Sequence, residues 1–337
     1  MNKVSLNRKA VLLLLFAAGP VSAASFDCAK AKNPQEKLIC ASPEVSRLDA
    51  MMATSYEALL QRLSPDAQND LRRSQREWLA FWPTSCREEG RPLSPRSKNA
   101  QDCAAARYKD RIALFEGPDS VTGDIVLYPV SSYTIRPSDA GVERIKYAQT
   151  VISYHAVDLG QAAHEKKNLA ALIDRWLRKD MGAAGDGDAG SDSETAKRFI
   201  ISLPMLLSTG TTSYFYGHGA VHPVSGYSTQ HFLLSNARPM LATDIFRGAQ
   251  WQDGLTSMVE ARLMKELGDF YYIETSQELK KLVINPSHWQ FNAKELTISF
   301  NPYEVAPYAA GAPSVNLPWS SLAPWLTAPV RDAVSLK

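Results

Sequence analysis

Four cysteines restrict the fold of the N-terminal third of this 337-residue chain, and the rest of the sequence contains none. In an exported chain, an even and clustered set indicates two disulfide bonds. Three pairings are possible, of which we favour the sequential one. Zinc binding is the alternative, but no Cys-x-x-Cys and no adjacent histidine supports it. The four residues are Cys28, Cys40, Cys86 and Cys103.

A segment typical of an export signal precedes the cysteines. Lys3, Arg8 and Lys9 form a basic region, residues 11–18 an apolar region, and Val21-Ser22-Ala23 offers small residues for cleavage. We therefore predict a signal peptide at residues 1–23 and a periplasmic or secreted protein. The apolar region is too short to span a bilayer, and no other apolar run approaches about 20 residues, so no transmembrane segment is expected.

The net charge argues against one class of partner. Removal of the three cations of the predicted signal moves the formal charge from +2 to −1. A nearly neutral chain has no electrostatic basis for binding nucleic acid, so we expect no such partner.

Residues 24–117 carry helical signals. Ser42-Pro43 and Ser64-Pro65 each supply an N-cap followed by a proline in the first turn. Apolar residues then recur at helical spacing, and Pro83 is expected to end the second helix. A core this small is marginal alone, and disulfides are its usual reinforcement. We predict a small, disulfide-stapled, all-α module.

A composition change at residues 116–123 marks a boundary, and residues 120–337 are predicted to form a larger α+β domain. Strand-like runs are expected at 125–128, 133–135, 149–157, 198–203, 205–216 and 229–235. Helices are expected at 162–181, 251–267 and 276–283. The predicted fold class is α+β, with a mostly antiparallel sheet and helices packed on one face.

The stretch Phe291–Trp325 is predicted to form a hairpin that completes this sheet. Leu296, Ile298 and Phe300 alternate with polar residues as in a half-buried strand. Residues 302–313 form a stiff crossing rich in proline and tyrosine, and 313–317 a second strand. Ser320 is the expected N-cap of a final helix.

No motif for catalysis or for a cofactor occurs in the sequence, and we predict a non-enzyme that needs neither cofactor nor metal. His218 and His222 have a zinc-like spacing, but glycines and Pro223 place them in a turn and no third ligand is spaced for them. Residues 182–194 resemble a calcium loop only superficially. They are interpreted as a disordered acidic insertion of unassigned role.

The first third resembles the N-terminal domain of the LprI-type lysozyme inhibitors over about residues 25–115. The resemblance rests on the cysteine frame and the motifs between its members, including Glu36-Lys37-Leu38-Ile39-Cys40 and Gln75-Arg76-Glu77-Trp78-Leu79. One departure is Phe81-Trp82-Pro83, which stands where members of the family more often have a polar, basic run. The resemblance implies an LprI-like domain with two disulfides and a lysozyme partner.

The last third resembles the RsiV C-terminal domain over about residues 205–326. The motifs are Phe291–Gly311, the following Val-x-Leu-Pro-Trp, and the aromatic, glycine-rich run Tyr214–Pro223. That family occurs in the anti-sigma factor RsiV and in some envelope polysaccharide deacetylases. The resemblance implies lysozyme binding.

Both resemblances predict an exported envelope protein that binds and inhibits lysozyme-like muramidases, by covering the cleft that holds the two catalytic carboxylates. The alternative is a non-catalytic accessory or sensing module that binds peptidoglycan or an enzyme acting on it. Lysozymes are commonly basic, and only residues 186–194 supply local negative charge to attract them. The predicted partner-binding residues are Tyr303, Glu304, Tyr308, Gly311, Tyr214, Tyr216, His218 and His222.

Overall fold

The computed structural model describes residues 24–88, 91–121, 123–143, 145–181 and 189–335. The predicted signal peptide, residues 1–23, lies outside these residues, as does the part of the acidic insertion at 182–188.

The N-terminal module is helical, as predicted. Its helices begin where the Ser-Pro pairs stand, since Pro43 and Pro65 each occupy a first-turn position, and the Ser42 side chain accepts the Val45 N–H. An additional first helix begins at Asn33, whose side chain forms a capping box with Glu36. The helices are α1 (Pro34–Ala41), α2 (Pro43–Leu60), α3 (Pro65–Ser85) and α4 (Lys98–Phe115).

The disulfides pair sequentially, Cys28 with Cys40 and Cys86 with Cys103, which confirms the favoured connectivity. The first bond ties the N-terminal segment to the end of α1, and the second ties the end of α3 to α4. Each disulfide therefore fixes one non-helical segment of the module, namely the stretch before α1 and the loop between α3 and α4.

The second helix ends just before Cys86, as expected, but Pro83 does not end it, because α3 continues through the proline to Ser85. Proline removes the hydrogen bond to the carbonyl four residues earlier, which here belongs to the exposed Leu79. Because water can bind a carbonyl at such a position, the helix tolerates the proline so close to its end.

A seven-stranded sheet follows, in which the strands lie in chain order. Neighbouring strands are antiparallel except for β3 and β4, which are parallel and are joined through helix α5 (Lys167–Arg178). The helix predicted at 162–181 is therefore present but shorter. The strands are β1 (Ser120–Val121), β2 (Ile125–Pro137), β3 (Tyr147–Val157), β4 (Ser191–Phe199), β5 (Leu206–Gly217), β6 (Val224–Leu233) and β7 (Arg238–Pro239).

Two sequence predictions about this sheet are corrected. The runs 125–128 and 133–135 form one strand, because Pro129 lies on the side of β2 that faces away from β3, where no ladder bond is lost. The Leu127 and Tyr133 N–H groups on that side bind Asp119 and Glu77 instead. Residues 191–194, interpreted as part of a disordered insertion, are the start of β4, since pairing with β3 and β5 outweighs their polar composition.

Helix α3 covers the open edge of β2. The Glu77 carboxylate accepts the backbone N–H of Tyr133 at 3.3 Å, and the Phe81 ring lies 5.1 Å from that of Tyr133. Phe81 and Trp82 are buried in a core shared by the helical module, β2 and β3. The apolar departure at Phe81-Trp82-Pro83 is thus explained by burial, because Phe81 packs against β2 and Trp82 packs against Trp78 and Tyr108 inside the helical module.

The C-terminal residues form a second unit along the edge of β6. The predicted hairpin does not complete the large sheet but forms a separate one in the order β10-β9-β8. On β6 the Tyr227 N–H is bound by the Asn301 side chain, and the Thr229 hydroxyl donates to the carbonyls of Pro286 and Trp289. Pro318, not Ser320, precedes the helix after β10. The elements are α6 (Ala242–Ile245), α7 (Trp251–Leu267), α8 (Ser276–Val283), β8 (Trp289–Phe291), β9 (Glu295–Ser299), β10 (Ser314–Pro318), α9 (Trp319–Leu322) and α10 (Ala328–Ala333).

Gly254 in α7 permits the close approach of Trp325, and its replacement by alanine is expected to destabilise the protein. A Cβ at this position would overlap the Trp325 ring. Alanine favours a helix over glycine by about 1 kcal/mol, but we expect the overlap to give a net loss of about 1–3 kcal/mol in the free energy of unfolding. Urea denaturation measures it. Ser257→Ala, at an exposed position of the same helix, is the control, and a stabilised Gly254→Ala protein would contradict the packing.

Candidate protein-binding surface

The crossing between β9 and β10, residues 301–313, is held rigidly from the inside. The Glu304 carboxylate accepts the Asn301 N–H at 2.7 Å and lies 3.1 Å from Nε2 of His288. Burial alone would raise the pKa of Glu304, but these hydrogen bonds hold it below its ordinary value. Val305 and Ala306 are fully buried beneath. Glu304 therefore braces the crossing, and its predicted contact with a partner stays a prediction.

Tyr303 presents its ring to solvent from a strained backbone. Its φ of 69° lies in the left-handed region that bulky residues rarely adopt. The conformation is fixed because Tyr303 N–H donates to the Ala306 carbonyl at 3.1 Å and the Tyr272 hydroxyl donates to the Tyr303 carbonyl. Its side chain remains 52% exposed. Strain of this kind is concentrated at functional sites.

The turn between β5 and β6 is held by polar contacts within the turn and with neighbouring segments. The Tyr216 hydroxyl donates to the Ala220 carbonyl at 3.3 Å. His218 turns inward: its side chain is buried, with Nδ1 2.7 Å from the Ser138 hydroxyl and Nε2 3.3 Å from Asp192. Like Glu304, His218 supports the surface from behind.

The structure brings together the two segments that the sequence singled out. The His222 ring stacks on that of Tyr308, with centroids 4.3 Å apart and planes inclined by 20°. The Tyr303 ring lies 5.7 Å from that of Tyr308. We call Tyr214, His222, Tyr303 and Tyr308 the aromatic surface. Exposed rings on a rigid frame are typical anchors of protein interfaces.

A groove of about 410 Å³ lies between the crossing and the sheet, beside the aromatic surface. Its floor is the exposed end of β4, β5 and β6, and its wall is the start and end of the crossing. Gly311, with a φ of 75°, turns the chain at the end of that wall. The groove-lining residues with polar or aromatic groups include Glu194, Tyr214, Ser225, Tyr227 and Asn301.

Sequence reasoning missed part of this surface. Phe215, Val221 and Val224 are exposed apolar residues at the tip of the β5–β6 hairpin. The signal for them was the unbroken run Tyr214-Phe215-Tyr216, in which alternation requires one ring to point to the face opposite the other two. Glu194 and Asn301 carried no signal, since nothing in the sequence placed them beside Tyr214.

One buried polar pair resembles the start of a catalytic arrangement. Ser208 Oγ lies 2.7 Å from Nδ1 of His231, as in a nucleophile–base pair, but both residues are buried. Nε2 of His231 lies 3.1 Å from the Trp289 carbonyl, so the pair joins β6 to β8. Among the described residues, no group of three His, Cys, Asp or Glu side chains is placed to hold a metal ion.

Two parts of the chain match known families. Residues 28–114 match the family described as Lysozyme inhibitor LprI, and residues 243–320 match the family described as Protein of unknown function (DUF3298). Neither is a catalytic family. The DUF3298 match includes the crossing but not the β5–β6 hairpin. The resemblance to the RsiV C-terminal domain stays a prediction.

The comparison with solved structures finds proteins of the same DUF3298 family. A member from Bacteroides fragilis has 13% sequence identity and a TM-score of 0.42, over 64% of this chain and 99% of that chain. A member from Pseudomonas aeruginosa has 15% identity and a TM-score of 0.42, over 60% and 95%. No curated protein matches the sequence. Within the described ranges, no helix is long and apolar enough to cross a membrane.

Proposed function

We propose that this exported envelope protein binds and inhibits lysozyme-like muramidases. The match of residues 28–114 to the LprI lysozyme-inhibitor family carries the proposal, because that family implies lysozyme binding. The same match and the two disulfides indicate an extracytoplasmic protein. Muramidases cleave the cell wall in that compartment.

The aromatic surface is the proposed contact for the enzyme. Tyr303 and Tyr308 protrude from the pinned crossing, and His222 stacks behind Tyr308. A rigid, convex loop loses little conformational entropy on entering a cleft, which favours tight binding. Inhibition follows if the crossing covers the two carboxylates of the enzyme.

The proposal is tested with the chain from Ala24 to Lys337, mixed with hen-type and bacterial lysozymes. We expect co-elution in gel filtration and loss of cell lysis in a turbidity assay. The whole chain is used because the helical module shares its core with β2 and β3. Sedimentation with insoluble cell wall, without binding to any lysozyme, would overturn the proposal in favour of a peptidoglycan-binding module.

Replacement of Tyr308 by alanine is expected to weaken lysozyme binding by about 30-fold, since a central aromatic anchor contributes about 2 kcal/mol. Calorimetric titration measures the affinity. Leu172→Ala on α5 is the matched control, because Leu172 and Tyr308 are both 38% exposed. If both variants lost the same affinity for lysozyme, the aromatic surface would not be part of the interface.

A further inference from the structure

The groove beside the aromatic surface has an unpaired carboxylate at its rim. Glu194 lies on the exposed part of β4, directly opposite Tyr214 on β5, which in turn lies opposite Ser225 on β6. Within the described ranges the Glu194 carboxylate makes no hydrogen bond or ion pair. Asp192, the neighbouring acid on the same face, is already engaged, since it accepts the Gln149 N–H at 2.9 Å and pairs with His218.

The charge of this end of the groove is negative. Burial raises the pKa of the Tyr214 hydroxyl, and the carboxylates of Asp192 and Glu194 raise it further. Arg198, further along β4, donates to the carbonyl and the hydroxyl of Ser153 at 3.3 and 3.0 Å and makes no hydrogen bond or ion pair with Glu194. Burial lowers the pKa of Arg198, and the charge of Glu194 opposes this, so Arg198 offsets part of the negative charge here. The groove is therefore complementary to a cation.

The walls of the groove are apolar and fixed. Tyr227 leans over Gly210, where a Cβ would overlap its hydroxyl, and the Tyr227 N–H donates to Oδ1 of Asn301 at 2.6 Å. Pro302 and Ala312 line the side formed by the crossing. A ligand here meets an aromatic floor, an apolar wall and a carboxylate at one end.

We propose that this groove binds an arginine side chain of a basic protein partner. The guanidinium pairs with the Glu194 carboxylate and lies over the Tyr214 ring, while its methylene stem lies along Pro302 and Ala312. A planar guanidinium satisfies the carboxylate in a bidentate manner and stacks on an aromatic face, neither of which a lysine ammonium does as well. The identification of the partner rests on the proposed function, whereas the preference for arginine rests on the groove alone.

The groove itself is tested with a peptide, acetyl-Gly-Arg-Gly-amide, titrated into the mature chain at low salt and followed by NMR. We expect weak binding that Glu194→Gln reduces about fivefold or more, since it replaces a charged acceptor by a neutral one. Glu266→Gln, which makes the same change at an exposed position on α7, is the control. Equal binding of the corresponding citrulline peptide, or of the peptide to Glu194→Gln, would overturn the proposal.

A second measurement uses lysozyme. We expect Glu194→Gln to weaken the complex about tenfold and to reduce its dependence on salt, because a charged contact is lost. If the wild-type chain binds lysozyme and Glu194→Gln binds it equally well, the groove lies outside the interface and the proposal fails. If the wild-type chain binds no lysozyme, the proposed function fails, while the peptide titration still decides whether the groove takes arginine.

Discussion

Replacement of Arg111 by alanine is expected to lower the free energy of unfolding by about 3–5 kcal/mol, the largest effect of a single side chain that we expect here. Arg111 is 1% exposed, and its guanidinium joins the helical module to the sheet. It donates to Gln75 at 3.0 Å and Ser74 at 3.0 Å on α3, and to Ser131 at 3.2 Å and Tyr133 at 3.3 Å on β2.

The expected loss has two causes. Alanine leaves the buried acceptors on Ser74, Gln75 and Ser131 and the half-buried Tyr133 hydroxyl without this donor. It also leaves a cavity beside the Phe115 ring, over which the guanidinium lies at 4.7 Å. Burial lowers the pKa of Arg111, yet an arginine remains charged in a protein, so the hydrogen bonds are charge-assisted.

Urea denaturation of two control variants makes this prediction specific. Arg111→Lys keeps the charge but not the planar fork, so we expect an intermediate loss. Lys109, on the same helix as Arg111, forms a solvent-exposed ion pair with Glu44 on α2, and we expect its loss in Lys109→Ala to have little effect on stability. A loss for Arg111→Ala as small as that of Lys109→Ala would show that Arg111 does not join the two parts.

The second large expected effect is a loss of stability on acidification, which we attribute to two buried histidines. Burial lowers the pKa of His155 to about 4, the charge of Arg198 adds to this, and the Leu114 carbonyl opposes it. Burial also lowers the pKa of His231 to about 4, against the carbonyls of Trp289 and Pro286. Both side chains are therefore neutral in the folded protein at neutral pH.

The sign of the pH effect follows from these shifts. Unfolding restores a pKa near 6.5, so below that pH the unfolded chain binds protons that the folded chain does not. The stabilisation is complete above pH 6.5 and is lost as the pH falls through about 4. We expect a loss of about 3 kcal/mol per histidine between pH 7.5 and pH 4, measured by urea denaturation across that range.

A variant of His155 isolates one of the two contributions. The His155 ring makes no well-formed hydrogen bond among the described residues and only a weak approach to the Leu114 carbonyl, so His155→Leu removes the titrating group at little cost in hydrogen bonding. We expect the acid-dependent loss to shrink by about 3 kcal/mol. His164→Leu, at an exposed histidine, should leave the pH dependence unchanged. If His155→Leu lost as much stability on acidification as the wild-type protein, groups other than His155 would cause the pH dependence.

Local sequence signals predicted the elements whose causes are local. The Ser-Pro pairs located the starts of α2 and α3, and the helices expected at 251–267 and 276–283 are confirmed as α7 and α8. The alternation in 296–300 predicted β9. Errors arose where a distant partner decided the outcome. Residues 191–194 are strand because β3 and β5 flank them, and the last hairpin pairs with β8 in a separate sheet.

The same division holds for the candidate site. The sequence indicated Tyr214–His222 and Tyr303–Gly311 as two segments, but it could not show that His222 stacks on Tyr308. It proposed Glu304 and His218 as contacts, which stays a prediction, and it could not show that Glu304 pairs with His288 or that His218 lies against Ser138. A sequence alone does not distinguish an exposed side chain from one that turns inward and holds the backbone in place.

The sequence alone determined the cysteine frame, the helical character of the first third and the two aromatic segments, because each depends on residues close together in the chain. Only the tertiary structure decided that α3 covers the β2 edge, that Arg111 lies between the helical module and the sheet, and that Glu194 lies beside Tyr214 in a groove. These features arise from contacts between residues far apart in sequence, whose geometry is set when the sheet forms and its edges are covered.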